Sequence, residues 1–166
     1  MITIIAGANR ANSNTKKVAH IYLSLLHKLS VPAQLLALDE VQVFERTPAF
    51  EQMENSFLIP ILKFIIVMPE YNGSYPGILK LMVDNSDVKL AWANKKALLV
   101  GVATGRAGNL RGMEHFTGAL MHIKTTVHPN RLPLSSIHHL LDADGQITDA
   151  NTLAVIETQL NEFIKF

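Results

Sequence analysis

The sequence predicts an α/β fold, a three-layer sandwich around a five-stranded parallel sheet in the order 2-1-3-4-5. Three observations carry that prediction. Strand and helix patterns alternate along the whole chain of 166 residues. The strand segments are continuously apolar, which means burial on both faces and therefore parallel pairing. No linker, repeat or low-complexity stretch divides the chain, so residues 1–166 read as a single domain with one sizeable core.

Ile2 to Ala6 is short, apolar and β-branched, and it stops at Gly7; it is the first strand. From Thr15 to Leu29, Val18, Tyr22, Leu25, Leu26 and Leu29 recur at helical spacing. Ser30-Val31-Pro32 ends that helix, and Gln34 to Leu38 forms the second strand. A short helix is expected over Phe50 to Ile59, after Pro48. Leu62 to Met68 is the third strand. Pro76 then suits the first turn of a helix running to near Trp92. Ala97 to Val102 is the fourth strand, and Leu110, Met113, Phe116, Leu120 and Met121 mark the helix after it. Lys124 to His128 reads as a fifth strand. Asp149 to Phe166 closes the chain as a helix with Leu153, Ile156, Leu160 and Phe163 on one face.

Composition narrows the function. Fifteen Lys and Arg against fourteen Asp and Glu leave a formal charge of +1, too little basic surplus for general nucleic-acid binding. Cysteine is absent, which removes disulfides, thiolate catalysis and Cys-containing metal sites. Met1 leads straight into Ile2 without a basic flank or cleavage pattern, and the apolar runs are shorter than a membrane span. A cytoplasmic protein with no membrane partner is expected.

In a doubly wound sheet, ligands bind beyond the carboxyl ends of the strands, at the switch point between strands 1 and 3. Three loops reach that edge, and they are the most distinctive segments of the chain. Residues 7–15 join a strand to a helix N-terminus, where free N–H groups and the helix dipole favour an anion. Asn9, Ser13, Asn14 and Thr15 add side-chain donors, and Arg10 adds a guanidinium able to grip two phosphate oxygens. The plain alternative is a helix cap. Residues 69–77 combine the stiff Pro69 and Pro76 with the permissive Gly73 and Gly77, around Glu70, Tyr71 and Asn72. The third loop, 104–112, offers Thr104, Gly105, Arg106 and Gly108. No G-x-G-x-x-G follows strand 1, and no Walker loop occurs.

Together these segments resemble the NAD(P)H-dependent FMN reductase family, which includes quinone, chromate and azo-dye reductases. The first loop, Gly7-Ala8-Asn9-Arg10-Ala11-Asn12-Ser13-Asn14-Thr15, is similar to the family's G-S-x-R-x-x-S-x-N. Pro69 to Lys80 (PEYNGSYPGILK) matches a long and specific second motif. Thr104 to Gly112 follows a glycine-rich third motif more loosely. The resemblance runs from residue 3 to about His128. Three positions depart from it: Ala8 stands for Ser, Thr15 for Asn, and Asn109 for Gly. One lost hydrogen bond to a charged group is worth about 1.5–3 kcal/mol, which weakens a phosphate site without abolishing it.

The resemblance implies a flavodoxin-like fold with bound FMN and NADPH or NADH as hydride donor. It also implies ping-pong transfer to a small-molecule acceptor, and a homodimer or homotetramer. By the same resemblance, Arg10, Ser13 and Thr15 hold the phosphate, Pro69 to Asn72 line the ribityl chain and ring edge, and Thr104, Gly105 and their neighbours meet the pyrimidine end. No catalytic side chain is named. Tyr75 and Trp92, taken as exposed, are the candidates for a self-interface. Two alternatives share the fold, namely a non-enzymatic electron carrier and a flavodoxin-like protein that has lost FMN. The seven histidines show no metal-ligand spacing, and Asp39 reads as a turn residue.

Overall fold

The computed structural model describes all residues from Met1 to Phe166. The chain runs β1 (Ile2–Ala6), α1 (Asn14–Lys28), β2 (Ala33–Ala37), α2 (Pro48–Phe57), β3 (Lys63–Pro69), α3 (Gly77–Asn85), α4 (Val88–Ala91), β4 (Lys96–Val102), α5 (Leu110–His122), β5 (Thr126–Val127), β6 (Leu132–Leu134), α6 (Ile137–Leu140) and α7 (Ala150–Lys165). The strands lie in the order β2-β1-β3-β4-β5, all parallel, as the alternating pattern predicts. This is the flavodoxin-like arrangement.

Alternate side chains of each strand serve opposite layers. Ile5, Ile66 and Leu99 face one side, with Phe50 of α2, Met82 of α3 and Phe116 of α5. Ile4, Ile65 and Leu98 share a row of the sheet and face the other side, with Leu26 of α1 and Leu160 of α7. Each such side chain contributes about 1.5–3 kcal/mol on burial. A buried hydrogen bond of 2.6 Å, donated by the Tyr22 hydroxyl to Gln159 Oε1, joins α1 to α7. Burial drives the Tyr22 phenol well above its ordinary range, so it stays a donor.

Four expectations change. The helix drawn from Pro76 to Trp92 is broken at Ser86, which is extended. Asp87 then caps α4 by accepting from the N–H groups of Lys89 and Leu90. Side chains that bond the nearby backbone favour such caps over helix interiors. The fifth strand shrinks from Lys124–His128 to Thr126–Val127: Lys124, at φ 64°, and Thr125 still bond back to α5, and Pro129, which has no N–H to donate, follows closely. A sixth strand, β6, takes over alongside the upper half of β4, so the sheet has six strands and not five. Trp92 is not exposed. It is fully buried, with its ring 5.1 Å from that of Phe64, and so belongs to this chain's own core.

At the amino edge of the sheet, Lys95 is 5% exposed and donates to the carbonyls of Leu58 (2.6 Å) and Ile59 (2.9 Å), closing the end of α2. Burial pushes its ammonium down to about 8. The unfolded chain then binds more protons than the folded one between about pH 8 and the ordinary lysine value of 10.5, so this group adds stability as pH rises through that window. The contribution is lost as pH falls through 8. Thermal unfolding of the wild type and Lys95→Met, followed by circular dichroism at pH 7.5 and 10, should show the wild type gaining on the variant at the higher pH. A difference that stays flat would contradict the assignment.

Candidate functional site

The carboxyl edge of the sheet carries an open cleft of about 520 Å³ between β1, β3 and β4. One wall is the start of α1. Ser13 caps this helix, its Oγ accepting from Lys16 N–H at 3.2 Å. The hydroxyl proton remains available, so capping and ligand donation are compatible. The backbone N–H groups of Asn14 and Thr15 bond no carbonyl of the chain, and no acidic residue occupies the first turn. That helix end is therefore electropositive and uncompensated.

The opposite wall is the loop after β3. Tyr71 N–H donates to Ser74 O at 2.9 Å, and Ser74 N–H returns a bond of 3.1 Å to Tyr71 O. Asn72 and Gly73 between them have φ of 52° and 77°, the two left-handed residues that a tight primed turn demands. This turn aims Tyr71 and Asn72 at the cleft. Ser74 Oγ lies 2.9 Å from Nδ1 of His115, which ties the turn to α5. Glu70 N–H donates to Val102 O and joins the loop to β4.

The floor is built by the end of β4 and the segment beyond β6. Ala103 N–H donates to Leu134 O, and Ile137 N–H to Ala103 O. These bonds bring Ile137 into the lining beside Val102 and Ala103. The cleft thus joins a cationic, donor-rich end to an apolar floor. The family profile of NADPH-dependent FMN reductases matches residues 1–139, which include every one of these segments. The chain belongs to the NADPH-dependent FMN reductase family.

Relatives agree. An NAD(P)H-dependent FMN reductase of Pseudomonas aeruginosa is 31% identical over 101 residues, 58% of this chain and 54% of that protein. The chain therefore aligns with about half the length of that relative. A 2-hydroxy-1,4-benzoquinone reductase from a Burkholderia species is 22% identical across 98% of this chain and 93% of its own. The flavoenzyme NAD(P)H:(acceptor) oxidoreductase FerB of Paracoccus denitrificans superposes with a TM-score of 0.82 at 20% identity, covering 99% of this chain and 94% of that one. At that identity the likeness is one of fold.

Of the residues expected to bind cofactor in this reductase-family chain, Arg10, Ser13, Asn14, Thr15, Pro69, Glu70, Tyr71, Asn72 and Thr104 line the cleft. Asn9, Gly73, Gly105, Arg106 and Gly108 do not. Gly73 shapes the turn, Gly105 O accepts from Ser136 N–H, and Gly108 leaves no room for a side chain beside Pro133. Ala11, Asn12, Val102, Ala103 and Ile137 line it without having been singled out. Ile137 had no local signal, since it arrives through β6. Ala8, where the family has Ser, is 2% exposed and lies outside the lining. Asp39 does sit in the turn after β2, where its carboxylate also pairs with Lys16 at 3.0 Å.

Asn109, standing where the family has Gly, is wholly buried in the left-handed region (φ 65°). Its Nδ2 donates to the carbonyls of Met68 (3.1 Å) and Pro69 (2.9 Å), so the start of α5 is bolted to the end of β3. A Cβ on Gly112 would collide with its Oδ1, which accounts for glycine there. Asn109→Gly keeps the backbone conformation and loses both bonds, and should cost about 1–3 kcal/mol in urea denaturation. Asn109→Ala should cost about 1 kcal/mol more, because alanine tolerates that φ poorly. Equal stabilities for the three proteins would refute the strut.

Proposed function

We propose that this chain binds FMN in the cleft and uses it to pass reducing equivalents from NADPH or NADH to a small-molecule acceptor. The acceptor class is a quinone, flavin, azo compound or metal oxyanion. The observation that carries the reading is the convergence of the free α1 N-terminus and Arg10 with the loop of residues 69–72 around one cleft of ligand size.

The residues fit that cofactor. A phosphate matches the unpaired N–H groups of Asn14 and Thr15, the Ser13 hydroxyl and the guanidinium of Arg10. A flat ring matches the apolar surface of Val102, Ala103 and Ile137, with Tyr71 and Asn72 beside it. When bound, FMN accepts hydride from the nicotinamide and supplies electrons to the acceptor. The chain's part is to bind, to orient and to keep water from the buried face. The reading assigns no side chain to proton transfer. Donor and acceptor share one open cleft and are expected to use it in turn, which is ping-pong order.

The visible spectrum of the purified protein, with FMN added if it is colourless, tests the reading. Bound flavin should bleach when NADPH or NADH is added without oxygen. Flavin that stays oxidised with both nucleotides would make the protein a carrier, and failure to bind FMN would overturn the reading. Arg10→Ala should raise the Kd for FMN roughly ten- to a hundredfold. Its melting temperature should be unmoved, since Arg10 is exposed. Unchanged FMN binding would remove Arg10 from the phosphate site.

A further inference from the structure

Tyr71 and Arg10 come from different loops, after β3 and after β1, and both line the cleft. The guanidinium carbon of Arg10 stands 4.7 Å from the centre of the Tyr71 ring. Arg10 is exposed, yet none of the ion pairs of the fold includes it, although Glu70 adjoins Tyr71 in sequence. Lys16, also at the start of α1, is by contrast held by Asp39 and Glu40. A guanidinium attracted through its face keeps its N–H donors free in its own plane. Those donors are the ones that grip two oxygens of a phosphate. The backbone that carries this ring is held by the paired turn of residues 71–74 and by the contact of Ser74 with His115.

We infer that Tyr71 is a positioning residue for the anion grip, its ring holding the long Arg10 side chain in the cleft with the donor edge uncommitted. This rests on the FMN reading above and adds a source of selectivity to it. A guanidinium ordered beforehand loses less conformational freedom when it meets the ligand. The benefit goes only to a ligand that carries the phosphate. Tyr71 therefore contributes to choosing FMN over riboflavin, which lacks the phosphate. A tyrosine that served only as cleft wall would help both flavins equally.

The experiment is a comparison of FMN and riboflavin affinities, by quenching of flavin fluorescence, for the wild type, Tyr71→Leu, Tyr71→Phe, Arg10→Ala and the Arg10→Ala/Tyr71→Leu double variant. Tyr71→Leu should lower the ratio of FMN to riboflavin affinity by roughly three- to fivefold. Tyr71→Phe, which keeps an aromatic face, should restore it. In the Arg10→Ala background, Tyr71→Leu should leave the ratio where it is. Tyr71→Met serves the same comparison if the leucine variant does not fold. Equal losses for both flavins, a ratio that phenylalanine does not rescue, or an effect that persists without Arg10 would each overturn the inference and leave the proposed function standing. A wild type that binds neither flavin would overturn both.

Discussion

Burial of the parallel sheet on both faces is the constraint from which the site follows. The central strands present mostly apolar side chains to two helical layers, so the faces of the sheet are given over to packing and leave no open cleft there. Open space for a ligand lies at the edge. At the carboxyl edge the chain leaves the sheet in adjacent loops, and the reversal of winding between β1 and β3 parts them into a cleft. The amino edge is closed instead. Lys95 seals the end of α2, while Lys63 and Lys96, neighbours across β3 and β4, donate to the last carbonyls of the α7 segment.

Loops that carry a site need support that the sheet alone does not give. Here the loops after β3 and β4 are tied to neighbours that are distant in sequence. Asn109 fastens α5 to the end of β3, Ser74 touches His115, and Glu70 bonds Val102. Ala103 is bonded in turn to Leu134 and Ile137, and Gly105 to Ser136. That side of the cleft is preformed as a result, which lowers the ordering cost that a ligand would have to meet. Asn109 Oδ1 is buried without a partner, so this strut carries a cost of its own beside the two bonds that it makes.

The fold was legible because its signal is local. Ile2–Ala6 and Lys63–Pro69 declare burial by composition, and helical spacing in α1, α5 and α7 declares which face turns inward. The losses came where long-range contacts decide. Nothing within residues 124–134 says that β4 will be flanked first by β5 and then by β6. Trp92 reads as an exposed aromatic near a helix end until the break at Ser86 turns it inward. In the site, all three cleft loops carry motif-like residues; those of the first two mostly line the cleft, whereas of the third only Thr104 does. Ile137 was invisible because hydrogen bonds of Ala103, and not sequence proximity, deliver it. Asn109 was visible only as an exception to a glycine pattern, which hides its role as a strut.

The division of positive charge at this edge explains how a nearly neutral chain can present an unpaired cation beside the cleft. Lys16 sits in the first turn of α1, where a cation opposes the helix dipole. Glu40 and Asp39, just after β2, engage it, and their hydrogen bonds, that of Glu40 foremost, hold its ammonium above the ordinary lysine range. Its charge is thereby answered from outside the cleft. Arg10, three residues before the cap, has no such carboxylate and meets an uncharged aromatic face instead. A carboxylate on Arg10 would compete with any incoming phosphate, whereas a ring does not consume the donors. The carboxylates after β2 and the tyrosine after β3 thus treat two nearby cations in opposite ways, neutralising one and leaving the other available. The net charge of the chain, +1, records only the sum of these arrangements, and the local field is set by which cation is left without a carboxylate.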